Sequence, residues 1–298
     1  MDARTQRSDS PDLNISVVGA GRVGTGLAVL LQRAGHPVVA ASGRQASRAR
    51  VERHLPSVPF LADAEAGRAG TLVIIGVPDD RIESVCSELA GAGVFRPGQA
   101  VLHLSGATSL GALESARRMG ASVLSVHPLQ TVPDVDAAIT RLPGSAMAVT
   151  APDEEGFALG ERLADDAGGR PFRLPDGRKP LYHAAAVFCS NYLVVVEGVA
   201  ELLFRAAGLD DPVHLFAPLA RATLDHVLED GPAAALTGPA ARGDAGTIRR
   251  NLEALEAHAP EALDAYVALA RTALDLAERA GRLDPQTRAH VEEALEWK

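Results

Sequence analysis

The sequence predicts an α/β fold: a mostly parallel sheet with helices on both faces, followed by an all-helical half. Three observations carry this. Short β-branched runs alternate with helical segments over the first 175 or so residues, a glycine-rich turn follows the first run directly, and strand patterning stops beyond about residue 175.

The elements follow in order. Residues 1–12 (MDARTQRSDSPD) form a polar lead, expected to be disordered. Residues 15–18 (ISVV) make a first strand, and the string Gly19-Ala20-Gly21-Arg22-Val23-Gly24 opens a helix with Leu27, Leu30 and Leu31 at helical spacing, closed by Gly35. Further strands are expected at 37–41, 71–77, 100–104, 122–126 and 146–150, with helices such as 80–90 and 109–119 between them. Several runs are apolar throughout, as strands covered on both faces are. Pro175-Asp176-Gly177 is a turn signal and the expected boundary, giving domains at 13–175 and 176–298. Beyond it, Ala- and Leu-rich helices are expected at 182–209, 213–229 and 247–281.

Composition excludes several classes. The 298-residue chain carries a net charge of −9, which disfavours nucleic acid and anionic membrane surfaces. Two cysteines, Cys86 and Cys189, supply neither a disulfide framework nor a metal cluster. The N-terminus is too polar for a signal peptide. The most apolar run, 180–196, contains His183, Ser190 and Asn191 and reads as a buried helix, not a membrane span. A cytoplasmic protein is expected.

The glycine string sits in the strand–turn–helix context of a Rossmann-like dinucleotide site, where glycines let backbone approach a pyrophosphate at a helix N-terminus. Gly19, Ala20, Gly21, Arg22, Val23 and Gly24 are therefore cofactor-binding candidates. An NAD site usually ends its second strand on an acid, yet no acidic residue lies between Asp12 and Glu52. Instead Ser42-Gly43-Arg44 is followed by Arg48, Arg50 and Arg53, which suits a 2′-phosphate bound by Ser42 and Arg44. The expected cofactor is NADP(H). Val77 and Pro78 of the Gly-Val-Pro-Asp-Asp turn should line the same crevice, with an acidic cap on the next helix.

Ligands of open α/β sheets bind beyond the carboxyl ends of the strands. That places Ser105 and Gly106 at the cofactor's edge and His127 at the substrate. The segment Tyr182–Asn191 concentrates polar groups on an apolar helix. His183 and Ser190, seven apart, should share a face, with Asn191 about 80° round it. A cleft between the halves would satisfy them. Lys179 is one of only two lysines, with Lys298, and is a candidate phosphate contact or proton donor. The Gly/Pro-rich connection at 231–247 offers Thr237, Arg242 and Asp244 to a substrate, Arg242 as a carboxylate clamp and Asp244 to orient it or cap the following helix.

Together GAGRVG, GVPDD, HLSG, HPLQT, YHAAAVFCSNYL and ALTGPAARGD resemble a bacterial family of oxidoreductase-like proteins that joins a Rossmann-like domain to a helical C-terminal domain of unknown function. More distantly the plan is similar to ketopantoate reductases, pyrroline-5-carboxylate reductases and hydroxyacid dehydrogenases related to 6-phosphogluconate dehydrogenase. The resemblance implies an NADP-linked reductase whose helical domain often mediates dimerisation. Those hydroxyacid dehydrogenases place a catalytic Lys four positions before an Asn. Here Asn191 aligns but Val187 occupies the Lys position, leaving His183, with Asn191 orienting substrate, or Lys179 as the donor.

The expectation is an NADP(H)-dependent oxidoreductase moving hydride to or from a small 2-oxo or 2-hydroxy acid or imine. The substrate is expected to be an anionic small molecule, and the protein a homodimer through its helical domain. The alternative is a non-catalytic NADP(H)-binding sensor or scaffold.

Overall fold

A computed structural model describes residues 13–296, so the polar lead at 1–12 lies outside the described residues. The chain divides into two compact units, the first ending at Ser190 and the second beginning at Asn191.

The first unit is built on seven strands: β1 (Ile15–Val18), β2 (Val38–Ala41), β3 (Leu72–Ile75), β4 (Ala100–His103), β5 (Ser122–Pro128), β6 (Ala146–Thr150) and β7 (Arg170–Arg173). Their spatial order is β2-β1-β3-β4-β5-β6-β7. Strands β1 to β5 run parallel, β6 is antiparallel to β5, and β7 is parallel to β6. The sheet grows in opposite directions on either side of β1/β3, which opens a crevice beyond the carboxyl ends of those strands. Strand β7 was not evident in the sequence. It is an edge strand with arginines at both ends and Pro171 inside, which an edge tolerates.

Helices cover both faces. One apolar layer joins α1 (Arg22–Arg33), α6 (Val135–Arg141) and α7 (Glu154–Asp166) to the sheet through Leu27, Leu31, Ile74, Leu102, Leu124, Ala138 and Leu163. The other joins α3 (Asp63–Ala69), α4 (Ile82–Gly91) and α5 (Glu114–Arg118) through Val73, Ile75, Ile82, Cys86, Leu89, Val101 and Leu113. Helix α2 (Gln45–His54) follows β2, and α8 (Lys179–Val187) ends the unit. The sheet does stop near the predicted turn, but α8 groups with it instead of opening the second unit.

The second unit contains α9 (Leu193–Ala206), α10 (Pro212–Asp230), α11 (Pro232–Ala235), α12 (Pro239–Arg242), α13 (Ala245–His258), α14 (Leu263–Arg279) and α15 (Pro285–Leu295). Its core is Ile248, Leu252, Leu274, Val291 and Leu295. The helix expected over 247–281 is broken, because Pro260 starts a separate turn between α13 and α14. The connection at 231–247 is not one long loop. Gly231-Pro232 and Gly238-Pro239 each open a single helical turn, the glycine at positive φ and the proline at the first helical position.

The apolar run at 180–196 departs from expectation. Val194, Val195 and Leu193 on α9 are 71%, 58% and 41% exposed, and no residue of α9 is buried. The run is therefore not a buried helix. By length and composition alone the helical stretch Asp176–Ala206 would suffice to cross a membrane. It is also not uniformly α-helical, since Phe188–Tyr192 forms a π-helical turn. The α-helical angles that put Ser190 on the His183 face, with Asn191 round it, do not hold beyond Val187.

Candidate active site

A cavity of 720 Å³ occupies the crevice at the carboxyl ends of β1, β2 and β3. Its floor is the glycine turn. Gly19 has φ of 74°, and a Cβ there would overlap Val77. A Cβ on Gly21 would stand 2.9 Å from the Gly76 carbonyl oxygen. Turn and β3 exit thus touch backbone to backbone, which only glycines permit. No side chain caps α1 and no acid sits in its first turn, leaving N–H groups and the positive helix end to the cavity.

Of the sequence candidates, Gly19, Gly21, Arg22, Val23, Gly24, Arg44, Val77, Pro78 and Ser105 line this cavity. Ala20 does not; it is buried, its N–H donating to Ser42 O and its carbonyl accepting from Arg50 Nε. Ser42 does not either. It is wholly buried, which corrects its expected role at a phosphate. Gly43, Arg44, Ser47 and Arg50 form the wall instead.

The four arginines separate by contact. Arg48 lies over the Phe60 ring and Arg53 pairs with Asp136, while Arg44 and Arg50 remain at the cavity. Arg50 reaches Ala20 O and Ser47 Oγ, both at 3.3 Å, tying the second-strand exit to the glycine turn.

At the other end, Ser105 joins the cavity to a polar cluster. Its hydroxyl donates to Asp79 Oδ2 at 2.6 Å and accepts from the N–H groups of Ala107 and Thr108. Asp79 therefore lines the crevice, as expected of the GVPDD turn, but the expected acidic cap is absent: Pro78 and Arg81 hold the cap positions and neither makes a side-chain capping bond. Gly106 lies flat on the His127 imidazole, where a Cβ would stand 2.8–2.9 Å from three ring atoms.

His127 Nδ1 is 2.9 Å from the Tyr182 hydroxyl, and the His183 ring packs edge-on to His127 at 6.2 Å. Burial first, then the nearby Lys179 charge, holds the His127 pKa down to about 4, and burial pushes Tyr182 up to about 12. Both are neutral across the physiological range. His183 Nδ1 is sealed from solvent and finds no hydrogen-bond partner among the described residues. Lys179 is completely buried, donating at 2.8 Å to both Ser105 O and Ser125 Oγ, and burial lowers its pKa to about 8. No solvent-facing atom remains, so Lys179 is not placed to meet a phosphate or a substrate.

The remaining candidates lie elsewhere. Ser190 and Asn191 fall in the π-helical turn, Asn191 already in the second unit. Thr237 and Arg242 are exposed in the second unit. Asp244 caps α13, accepting from Thr247 N and Thr247 Oγ1 at 2.9 and 2.7 Å. That is the capping role, and its oxygens are engaged.

Sequence reasoning did not single out Tyr182, Arg50 or Asp176. Tyr182 adjoins His183, and Arg50 is one of the counted arginines, so only their contacts were missing from the signal. Among the described residues no metal-binding cluster occurs.

Residues 2–128, which carry β1 to β5 and most of the nucleotide crevice, match a Rossmann-like domain. Residues 145–273 match a domain of unknown function, DUF2520, so the chain joins a Rossmann-like domain to a DUF2520 domain, the combination its motifs indicated. Solved structures share the fold at low identity. A "putative NADP oxidoreductase" from Bacteroides fragilis is 23% identical with a TM-score of 0.75, over 89% of this chain and 98% of its own. An imine reductase from Myxococcus stipitatus, solved with NADP+, is 17% identical with a TM-score of 0.62, over 90% of this chain and 94% of its own. A reductive aminase from Aspergillus terreus, solved with NADPH and ethyl levulinate, is 19% identical with a TM-score of 0.61, over 95% and 99%. No curated protein matches the sequence.

Proposed function

We propose that the protein is a cytoplasmic NADP(H)-dependent reductase of a small, anionic 2-oxo acid or imine. The observation that carries this reading is one continuous crevice. It begins at Arg44 and Arg50, crosses the glycine turn and ends at Ser105, next to the imidazole–phenol cluster. A cavity of 720 Å³ is of the size that holds a cofactor-sized ligand. Arg44 and Arg50 suit a 2′-phosphate, and the uncapped α1 N-terminus suits a pyrophosphate. Imine reductases and a reductive aminase among the fold neighbours support the imine side of the reading.

NADPH would supply the hydride. The chain's own part is to place and protonate the acceptor. The Tyr182 hydroxyl, already bonded to His127 Nδ1, gives its proton to the oxygen or nitrogen that accumulates charge, and the neutral His127 imidazole relays a proton from solvent back to it, with His183 packed beside the ring. Arg242 is retained as the candidate for an anionic substrate group, being exposed and forming no ion pair among the described residues. Fluorescence titration tests the cofactor assignment. NADPH should bind at least tenfold tighter than NADH, and Arg44→Ala should remove most of the difference while NADH binding changes little. Equal affinities in the unaltered protein would overturn it.

We also propose a homodimer formed through the helical unit. Helices α9 and α10 pair through stacked Phe204 and Phe216, yet leave Val194, Leu219 and Leu228 71%, 68% and 75% exposed. Large apolar side chains left exposed along both helices favour association. Sedimentation should give twice the chain mass, and Val194→Asp with Leu219→Asp should give the monomer. An unaltered protein that sediments as a monomer would refute the dimer.

A further inference from the structure

Residues 105–110 form the stretch that walls the crevice at Ser105 and seats His127 on Gly106, and both of its ends are held from one place. The Leu110 N–H donates to Asp176 Oδ1 at 2.9 Å. Three residues on, Lys179 Nζ donates to the Ser105 carbonyl and the Ser125 hydroxyl, each at 2.8 Å, and Ser125 Oγ itself donates to Ser105 O at 3.3 Å. We propose that Asp176 and Lys179 clamp this stretch, and that Lys179 is a positioning residue for the His127 imidazole and not a proton donor.

Lys179 has no exposed surface, so it cannot touch a bound molecule, and two of its three N–H bonds are spent on Ser105, just beyond β4, and Ser125, within β5. The Ser105 peptide it grips continues directly into Gly106, which has no room to move toward the ring. A shift at Ser105 is thus passed to His127.

The buried charge has a second effect. His127 is faced by Lys179, Tyr182 and His183 from α8, by Asp79 from the turn after β3 and by His103 from β4. Lys179 and His183 disfavour a second proton on the ring, and Asp79 favours one. Burial first, and the ammonium after it, keep the imidazole neutral, with its Nδ1 at the Tyr182 hydroxyl. The consequence for catalysis rests on the reductase reading, but the clamp itself does not.

The test uses the full chain without nucleotide or substrate, so its failure is separable from failure of that reading. Ring signals of His127, assigned with His127→Gln, are followed by NMR against pH in the unaltered protein, Lys179→Met and Asp176→Asn. Lys179→Met should raise the His127 midpoint by at least one pH unit and speed Leu110 amide exchange at least tenfold. Asp176→Asn should speed that exchange while leaving His127 within half a pH unit. Should Lys179→Met not fold, the unaltered protein still decides. With only two lysines, labelled Lys179 is followed directly, and the His127 ring shift should move with the same midpoint. A His127 signal indifferent to Lys179, by substitution or by titration, would overturn the proposal.

Discussion

Tyr182→Phe is expected to lower NADPH-dependent turnover by roughly 10²- to 10⁴-fold, the range a positioned general acid contributes. Cofactor affinity should stay within about twofold, because Tyr182 is not among the residues lining the nucleotide crevice. The hydroxyl is 2.9 Å from His127 Nδ1 and its ring packs on Phe172 at 5.9 Å, so Phe preserves the packing and removes only the proton. His183→Ala is expected to cost at least about tenfold in turnover, also with NADPH affinity kept. The measurement is kcat and Kd for NADPH on both variants across a panel of keto acids and cyclic imines. Full turnover in Tyr182→Phe would move the acid to His183, whereas loss of NADPH binding in either would make that residue structural. Firm NADPH binding with no oxidation across the whole panel would instead favour a sensor.

The second large effect is acid lability. His103 is completely buried, and burial, then the Lys179 charge, holds its pKa down to about 3; His127 is held to about 4. In an unfolded chain both titrate near 6.5. Between pH 6.5 and 4 the unfolded chain therefore binds protons that the folded chain refuses, so stability is full above 6.5 and falls as pH drops through that window. Each group contributes a slope of up to about 1.4 kcal/mol per pH unit, and the two together nearly 3 where both are fully charged in the unfolded state. Thermal melts at pH 7.5, 6, 5 and 4.5 should show Tm already lower at pH 6 than at 7.5 and dropping steeply below. A Tm level down to pH 4.5 would show that these imidazoles accept protons in place. Lys179 acts oppositely in position but with the same sign: its pKa, lowered to about 8, makes folding cost least once it is neutral, so stability rises again between pH 8 and 10.5.

Much of the fold was legible because its signals are local. Six of the seven strands, the glycine turn and the end of the sheet near residue 175 are written in neighbouring residues: β-branched runs, a Gly-x-Gly-x-x-Gly spacing and a Pro-Asp-Gly turn. The lack of acid before Glu52 and the run of arginines were equally local. Strand β7 escaped because an edge strand needs no continuous apolar pattern, and the π-helical turn at Phe188–Tyr192 escaped because helical periodicity assumes one pitch.

The sequence by itself determined the class of fold, the place of the nucleotide turn and the residue types gathered near it. Tertiary structure alone decided which of those residues share a site. Ser42 and Arg44 are two apart, yet one is buried and the other lines the cavity. Arg48 and Arg53 were drawn to Phe60 and Asp136, leaving Arg44 and Arg50. His127 and Tyr182 meet across 55 residues, and Lys179 reaches Ser105 across 74. Such pairings come from the way strand ends and α8 converge, and burial then sets each group's charge. Spacing along the chain encodes neither.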